Sequence, residues 1–124
     1  MDVSRLFEWL GTAREMTLSA LEGLTPSQWT TIPEGFSNHI LWNAAHLAAT
    51  NARYFYQLGD LPLPIPEKFM TMALRGTSPH EWTEPLPPEL VLETLKGLTP
   101  IIAADYRAGK FDGYAPYELR PGIV

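Results

Sequence analysis

Apolar and small side chains recur at steps of three and four near the start of the chain: Val3, Leu6, Phe7, Leu10, Ala13, Thr17, Ala20, Leu21 and Leu24. That period predicts an amphipathic helix over residues 3–22. Glu8, Arg14, Glu15 and Glu22 fall off the stripe and read as its solvent face. Gly11 lowers helix propensity without breaking the period, and Gly23 is a stop signal. Leu24-Thr25-Pro26-Ser27-Gln28-Trp29 reads as a threonine–proline start to one short turn, with Trp29 folded back as an anchor. Ile32 to Phe36 reads as a loop.

The second long helix is the best marked. Ser37 or Asn38 can cap it, and Gly59 ends it after Leu58. Ile40, Leu41, Ala44, Ala45, Leu47, Ala48, Ala52 and Phe55 cover more than half its circumference, the pattern of a helix buried on several sides. Residues 59–66, Gly-Asp-Leu-Pro-Leu-Pro-Ile-Pro, cannot be helical: each proline lacks an N–H and holds its predecessor extended. They predict a crossover strap. Pro66-Glu67-Lys68-Phe69 opens a short helix ending near Arg75-Gly76, and Thr77 to Glu84 reads as a loop. Pro87-Pro88-Glu89 opens a third long helix reaching Ala108-Gly109. Its stripe is Leu90, Leu95, Leu98, Ile101 or Ile102, and Ala104 or Asp105, with a kink expected at Pro100.

Composition narrows the function. The 124 residues, 45% of them apolar, make a single domain over residues 1–124 that can bury about two-thirds of its unfolded surface. There is no cysteine, so disulfides, thiolate metal sites and a cysteine nucleophile are excluded. Nine Lys and Arg against fourteen Asp and Glu give a net charge of −5, which argues against a nucleic-acid partner. No apolar stretch approaches the roughly 20 residues of a membrane span, and no secretory leader opens the sequence. The expectation is a cytoplasmic protein with no membrane partner.

Chemistry-bearing motifs are few. There is no phosphate loop, no Gly-x-Ser-x-Gly and no paired carboxylates. The three histidines are His39, His46 and His80. His39 and His46 are seven residues apart on one helix, about 10 Å along its axis, too far to share an ion. His39 stands in the first turn, where half-exposure is expected; His80 reads as a surface loop residue. A lone histidine on a buried helix is more often a hydrogen-bonded core residue than a ligand. His46, however, belongs to a polar seam with Trp42, Asn43, Thr50 and Arg53. In a bundle interior such a seam is either a cofactor site or a specificity device. The four tryptophans, Trp9, Trp29, Trp42 and Trp82, are candidates for a pocket lining or, more commonly, for core packing.

Several of these pieces together resemble the DinB-like superfamily. They are the first long helix, Leu-Thr-Pro-x-Gln-Trp at residues 24–29, the Pro33/Gly35/Phe36 loop, Asn38, Trp42 and His46 on the second helix, the Gly59-Asp60 stop, and the third helix opening at Pro87-Pro88-Glu89-Leu90. The resemblance implies an all-α, up-down-down-up four-helix bundle with a long crossover between helices two and three. It also implies a divalent metal, nickel or zinc, on three histidines, one of which matches His46; the other two come from an HxxxH on a fourth helix. Some relatives are thiol-dependent transferases or isomerases that use bacillithiol, mycothiol or glutathione as the small thiol substrate. These 124 residues contain helices 1–3, short helices and a C-terminal tail but no HxxxH, so the domain is expected to be C-terminally incomplete. The resulting expectation is no bound metal and no transferase activity for this chain. The alternative to an enzyme-derived reading is a non-catalytic interaction module. A bundle short of one helix leaves an apolar groove, so a homodimer is expected, with Trp42, His46 and Tyr54 near its interface and Leu41 and Phe55 on the groove. Folding back of residues 110–124 over the groove is the alternative.

Overall fold

The structure is a computed structural model and describes residues 3–36 and 38–111. The side chains of Val3 and Leu6, the proposed cap Ser37, and the tail 112–124 with the fold-back read into it lie outside the described residues. Among the described residues the regular elements are all helical, with no strand. Its elements are α1 (Val3–Glu22), α2 (Pro26–Thr30), α3 (Ile40–Ala52), α4 (Lys68–Met72) and α5 (Pro88–Arg107). A single π-helical turn, Arg53–Gln57, continues α3, and a 3₁₀ turn spans Pro79–Glu81.

Helix directions follow from side-chain contacts. Glu22 at the end of α1 pairs with Lys96 of α5, while Phe7 near the start of α1 packs on Tyr106 at the end of α5. The two helices are therefore antiparallel. His39, at the head of α3, meets Trp82 just before α5, and Tyr56 beyond the foot of α3 donates to Asp105 near the foot of α5. Those two helices are parallel, as a long crossover between them requires. A turn at 58–60, the non-helical residues 61–66 and α4 all lie on that crossover.

Local signals explain the boundaries. Thr25 and Gln28 form a reciprocal capping box on α2, and Trp29 is 4% exposed beneath it, the anchor the sequence predicts. α3 differs from the expected start. Its N-cap is not Asn38 but His39, whose side-chain Nδ1 accepts the Trp42 N–H at 3.0 Å. His39 is accordingly buried rather than half-exposed. At the other end Gly59 does not take the left-handed turn. Asp60 does, with φ 59°, because the π turn adds one residue before the chain reverses. α5 closes as expected, Gly109 adopting φ 78° one residue past its cap.

The core is built on small residues of α3. Ala45, Ala48, Ala49 and Ala52 are all fully buried, which lets α5 approach closely with Val91, Leu95, Leu98 and Ile102. Phe69 of α4 plugs the crossover side. Three expectations are corrected here. Ile40 and Leu47 are solvent-facing, because α3 turns its alanines inward. Leu41 and Phe55, placed on an open groove, are not on one: Leu41 is buried in the core, and Phe55 is half-buried against the core and packs on Phe111. On α1 the buried face is rotated by one position. Arg14 is 8% exposed, while Ala13 and Ala20 face out and Trp9 is 53% exposed. An arginine reaches the buried face because its methylene stem packs like an apolar side chain. Burial pushes its guanidinium pKa below the usual value.

Candidate functional site

His46 lies midway along α3 and is half-buried. Its ring stacks on Trp42 one turn earlier, with centroids 4.6 Å apart and planes 13° from parallel. Nδ1 is 2.6 Å from the carbonyl oxygen of Ala73. A carbonyl only accepts, so Nδ1 carries the proton and donates. In the neutral ring this fixes the tautomer and leaves a lone pair on Nε2, which faces the Thr50 hydroxyl at 3.4 Å.

The segment opposite α3 is held by a small network. Thr77 Oγ1 accepts the indole N–H of Trp42 at 3.0 Å and lies 2.9 and 2.7 Å from the carbonyls of Met72 and Leu74. The Trp82 indole donates to the Met72 carbonyl at 2.8 Å. The turn after α4 is thereby fastened to α3, and it presents the Ala73 carbonyl to His46 and Arg75 to the space beyond.

That space is a cavity of about 390 Å³ lined by His46, Thr50, Arg53, Tyr54, Leu74 and Arg75. Four of these come from one helix at steps of four, three and one, which is a single face. The other two come from the turn after α4. Each wall thus contributes one guanidinium, and among the described residues no carboxylate lines the cavity. Arg53 begins the π turn, where the Leu58 N–H bonds back to the Arg53 carbonyl. Such turns are common at functional sites because they displace side chains from the regular helical register.

The remaining histidines are elsewhere. His39 serves as the α3 cap; burial above all, and the nearby His80 in addition, hold its pKa below the ordinary value of 6.5, against a backbone hydrogen bond that raises it. His80 is exposed, as the sequence reading has it. Of the tryptophans, Trp29 and Trp42 are buried and Trp82 is half-buried; Trp42 supports His46 from beneath, and none of the four lines the cavity. Thr50 and Arg53, which the sequence joins to His46 in one polar seam, are brought to the site. Asn43, also assigned to that seam, donates instead to the His39 carbonyl. Leu74, Arg75 and the positioning residue Thr77 were not legible, since no spacing links them to His46.

These observations define an all-α bundle whose central helix carries one oriented imidazole at the edge of a cationic cavity. The family model of the DinB superfamily matches residues 10–122, and the chain belongs to that superfamily. No curated protein and no solved structure matches the chain.

The nickel or zinc ion implied by the family resemblance does not fit this donor set. Among the described residues no group of three or more His, Cys, Asp or Glu side chains is gathered. His46 is the single imidazole at the cavity, and its neighbours Arg53 and Arg75 are cations. A structural or catalytic zinc takes three or four protein ligands, and two guanidiniums lining the same cavity raise the cost of placing a dication there. Among the described residues no helix is long and apolar enough to cross a membrane.

Proposed function

We propose that this chain acts as a non-catalytic ligand-binding module of the DinB fold, and that the cavity over His46 is its working part. The observation that carries this is the lining of that cavity by the described residues: one imidazole, one hydroxyl, one phenol-bearing residue and two arginines, with no second His, Asp or Glu among them. A set of fixed donors around a concavity is suited to holding a small molecule, whereas metal-assisted chemistry needs more ligands than His46 provides. The test is elemental analysis of purified protein after treatment with a chelator. Substoichiometric nickel and zinc are expected. One equivalent of either, retained through the chelator, would overturn the reading.

A second reading rests on the orientation of His46. The Nδ1–H bond to Ala73 is the kind of outer contact that fixes metal-ligating histidines, and it leaves Nε2 available. On this reading His46 is one ligand of a divalent-metal centre that activates a small thiol for transfer or isomerisation, as the family resemblance suggests. Thiol transfer assayed with added nickel or zinc separates the two: activity lost in His46→Ala favours the enzyme, and none favours the module.

Self-association belongs to the first reading. Trp9, Ala13, Met16 and Ala20 are exposed along α1 at steps of four, three and four, the spacing of a helix seam. Sedimentation at micromolar concentration should give twice the chain mass. A monomer that binds no hydrophobic dye counts against it.

A further inference from the structure

The composition of the cavity wall narrows what it holds. The chain is acidic, with a net charge of −5 and only nine Lys and Arg. Two of those nine line this one cavity, one from each wall, and among the described residues no Asp or Glu lines it with them. Neither arginine forms an ion pair with a described carboxylate: the ion pairs among the described residues are Lys96–Glu22 and Lys110–Asp105. Guanidinium groups left without a carboxylate across a concavity attract an anion, and their planar forks match the oxygens of a carboxylate or a phosphate. Leu74 supplies an apolar wall for the body of the ligand, and the volume of about 390 Å³ suits a small organic molecule.

We infer that the His46 cavity binds a small organic oxyanion, a carboxylate or a phosphate monoester, with Arg53 and Arg75 clasping its charged group from opposite walls. The inference rests on the binding-module reading and gives its ligand a chemical class. It also accounts for the fastening of the turn after α4. The Trp42–Thr77 and His46–Ala73 hydrogen bonds hold the Arg75 wall at a fixed separation from the Arg53 wall, so the two cations are pre-positioned before any ligand arrives.

The experiment is an NMR titration of the ¹⁵N-labelled full chain with three probes that share one ring and differ in the head group: phenyl phosphate, benzoate and benzyl alcohol. The Arg53 and Arg75 Nε–H signals and the His46 ring are followed. Saturable shifts with phenyl phosphate or benzoate at about millimolar concentration or below, and none with benzyl alcohol, are expected. Which anion binds more tightly decides between phosphate and carboxylate. Arg53→Gln and Arg75→Gln should each weaken the preferred anion about tenfold, the loss of one charge-assisted contact. Arg107→Gln, which removes the same charge outside this cavity, should leave binding within about twofold. Equal binding of benzyl alcohol, no binding of either anion up to about 10 mM, or equal weakening by all three arginine variants would each overturn the inference. Such a failure leaves the metal content unaltered, so it is distinguishable from failure of the binding-module reading, which retained nickel or zinc would signal.

Discussion

Thr77→Val removes one hydroxyl from the hinge between α3 and the turn that carries Arg75. Valine keeps the shape of threonine, so the effect isolates the hydrogen bonds. Trp42 is 6% exposed, and its indole N–H has Thr77 Oγ1 as its acceptor at 3.0 Å. Without that oxygen the donor is stranded where water does not replace it, which costs about 1–3 kcal/mol. The carbonyls of Met72 and Leu74 lose the Thr77 donor as well, but Met72 keeps the Trp82 indole at 2.8 Å. An overall loss of about 2 kcal/mol follows, a factor of roughly 30 in the unfolding equilibrium. Urea denaturation followed by tryptophan fluorescence reads it: with a slope of about 1–2 kcal/mol/M, the midpoint falls by about 1–2 M. Thr71→Val is the control, because its exposed hydroxyl bonds only the Lys68 carbonyl three residues back, and it should change stability by less than about 0.5 kcal/mol. A double-mutant cycle with Trp42→Phe should give a coupling of about 1 kcal/mol. A Thr77→Val protein as stable as the Thr71→Val control refutes the claim that this hydroxyl fastens the cavity wall.

Other expectations follow from the same geometry. His39 caps α3 through an unprotonated Nδ1, and burial holds its folded pKa below 6.5, so folding favours the neutral ring. Its contribution is complete above about pH 6.5 and is lost as pH falls from there through the depressed folded value, because the unfolded chain binds the proton more readily. Asn at this position can still accept at the cap, so His39→Asn should flatten the stability-against-pH curve below neutrality, whereas His39→Ala should also lose about 1 kcal/mol at pH 8. Leu95→Ala, at a fully buried position between α5 and α3, should cost about 2–5 kcal/mol in urea denaturation. Gly97→Ala should gain about 0.5–1 kcal/mol in thermal or urea melts, since a Cβ there meets nothing within 4 Å and glycine weakens a helix interior.

The long helices were legible because their signals are local. The 3–22 period, the Thr25-Pro26 start, the proline strap and the Pro87-Pro88 opening each act within a few residues, and each element stands where those residues put it. What the sequence left ambiguous depends on tertiary contacts. The buried face of α1 differs from the apolar stripe by one position, and only tertiary packing, which buries Arg14 and leaves Ala13 exposed, decides between them. The α3 cap was not legible because histidine is an uncommon cap, and its imidazole accepts at Nδ1 only when that nitrogen is unprotonated. Half of the cavity was visible at His46, Thr50 and Arg53, which share a helix face. The other half approaches across 27 residues from a turn whose sequence marks only the end of a helix, and a contact at that separation leaves no trace in local spacing.

Zinc titration of the metal-free full chain, observed through the ring nitrogens of His46, tests the central claim most directly. The account predicts that Nδ1 keeps its proton against Ala73, that Nε2 stays unmetallated at micromolar zinc, and that no saturable one-to-one signal develops in the wild type beyond that of His46→Ala. A slowly exchanging one-to-one complex on Nε2, resistant to chelator and absent from His46→Ala, would contradict it and make the cavity a metal centre.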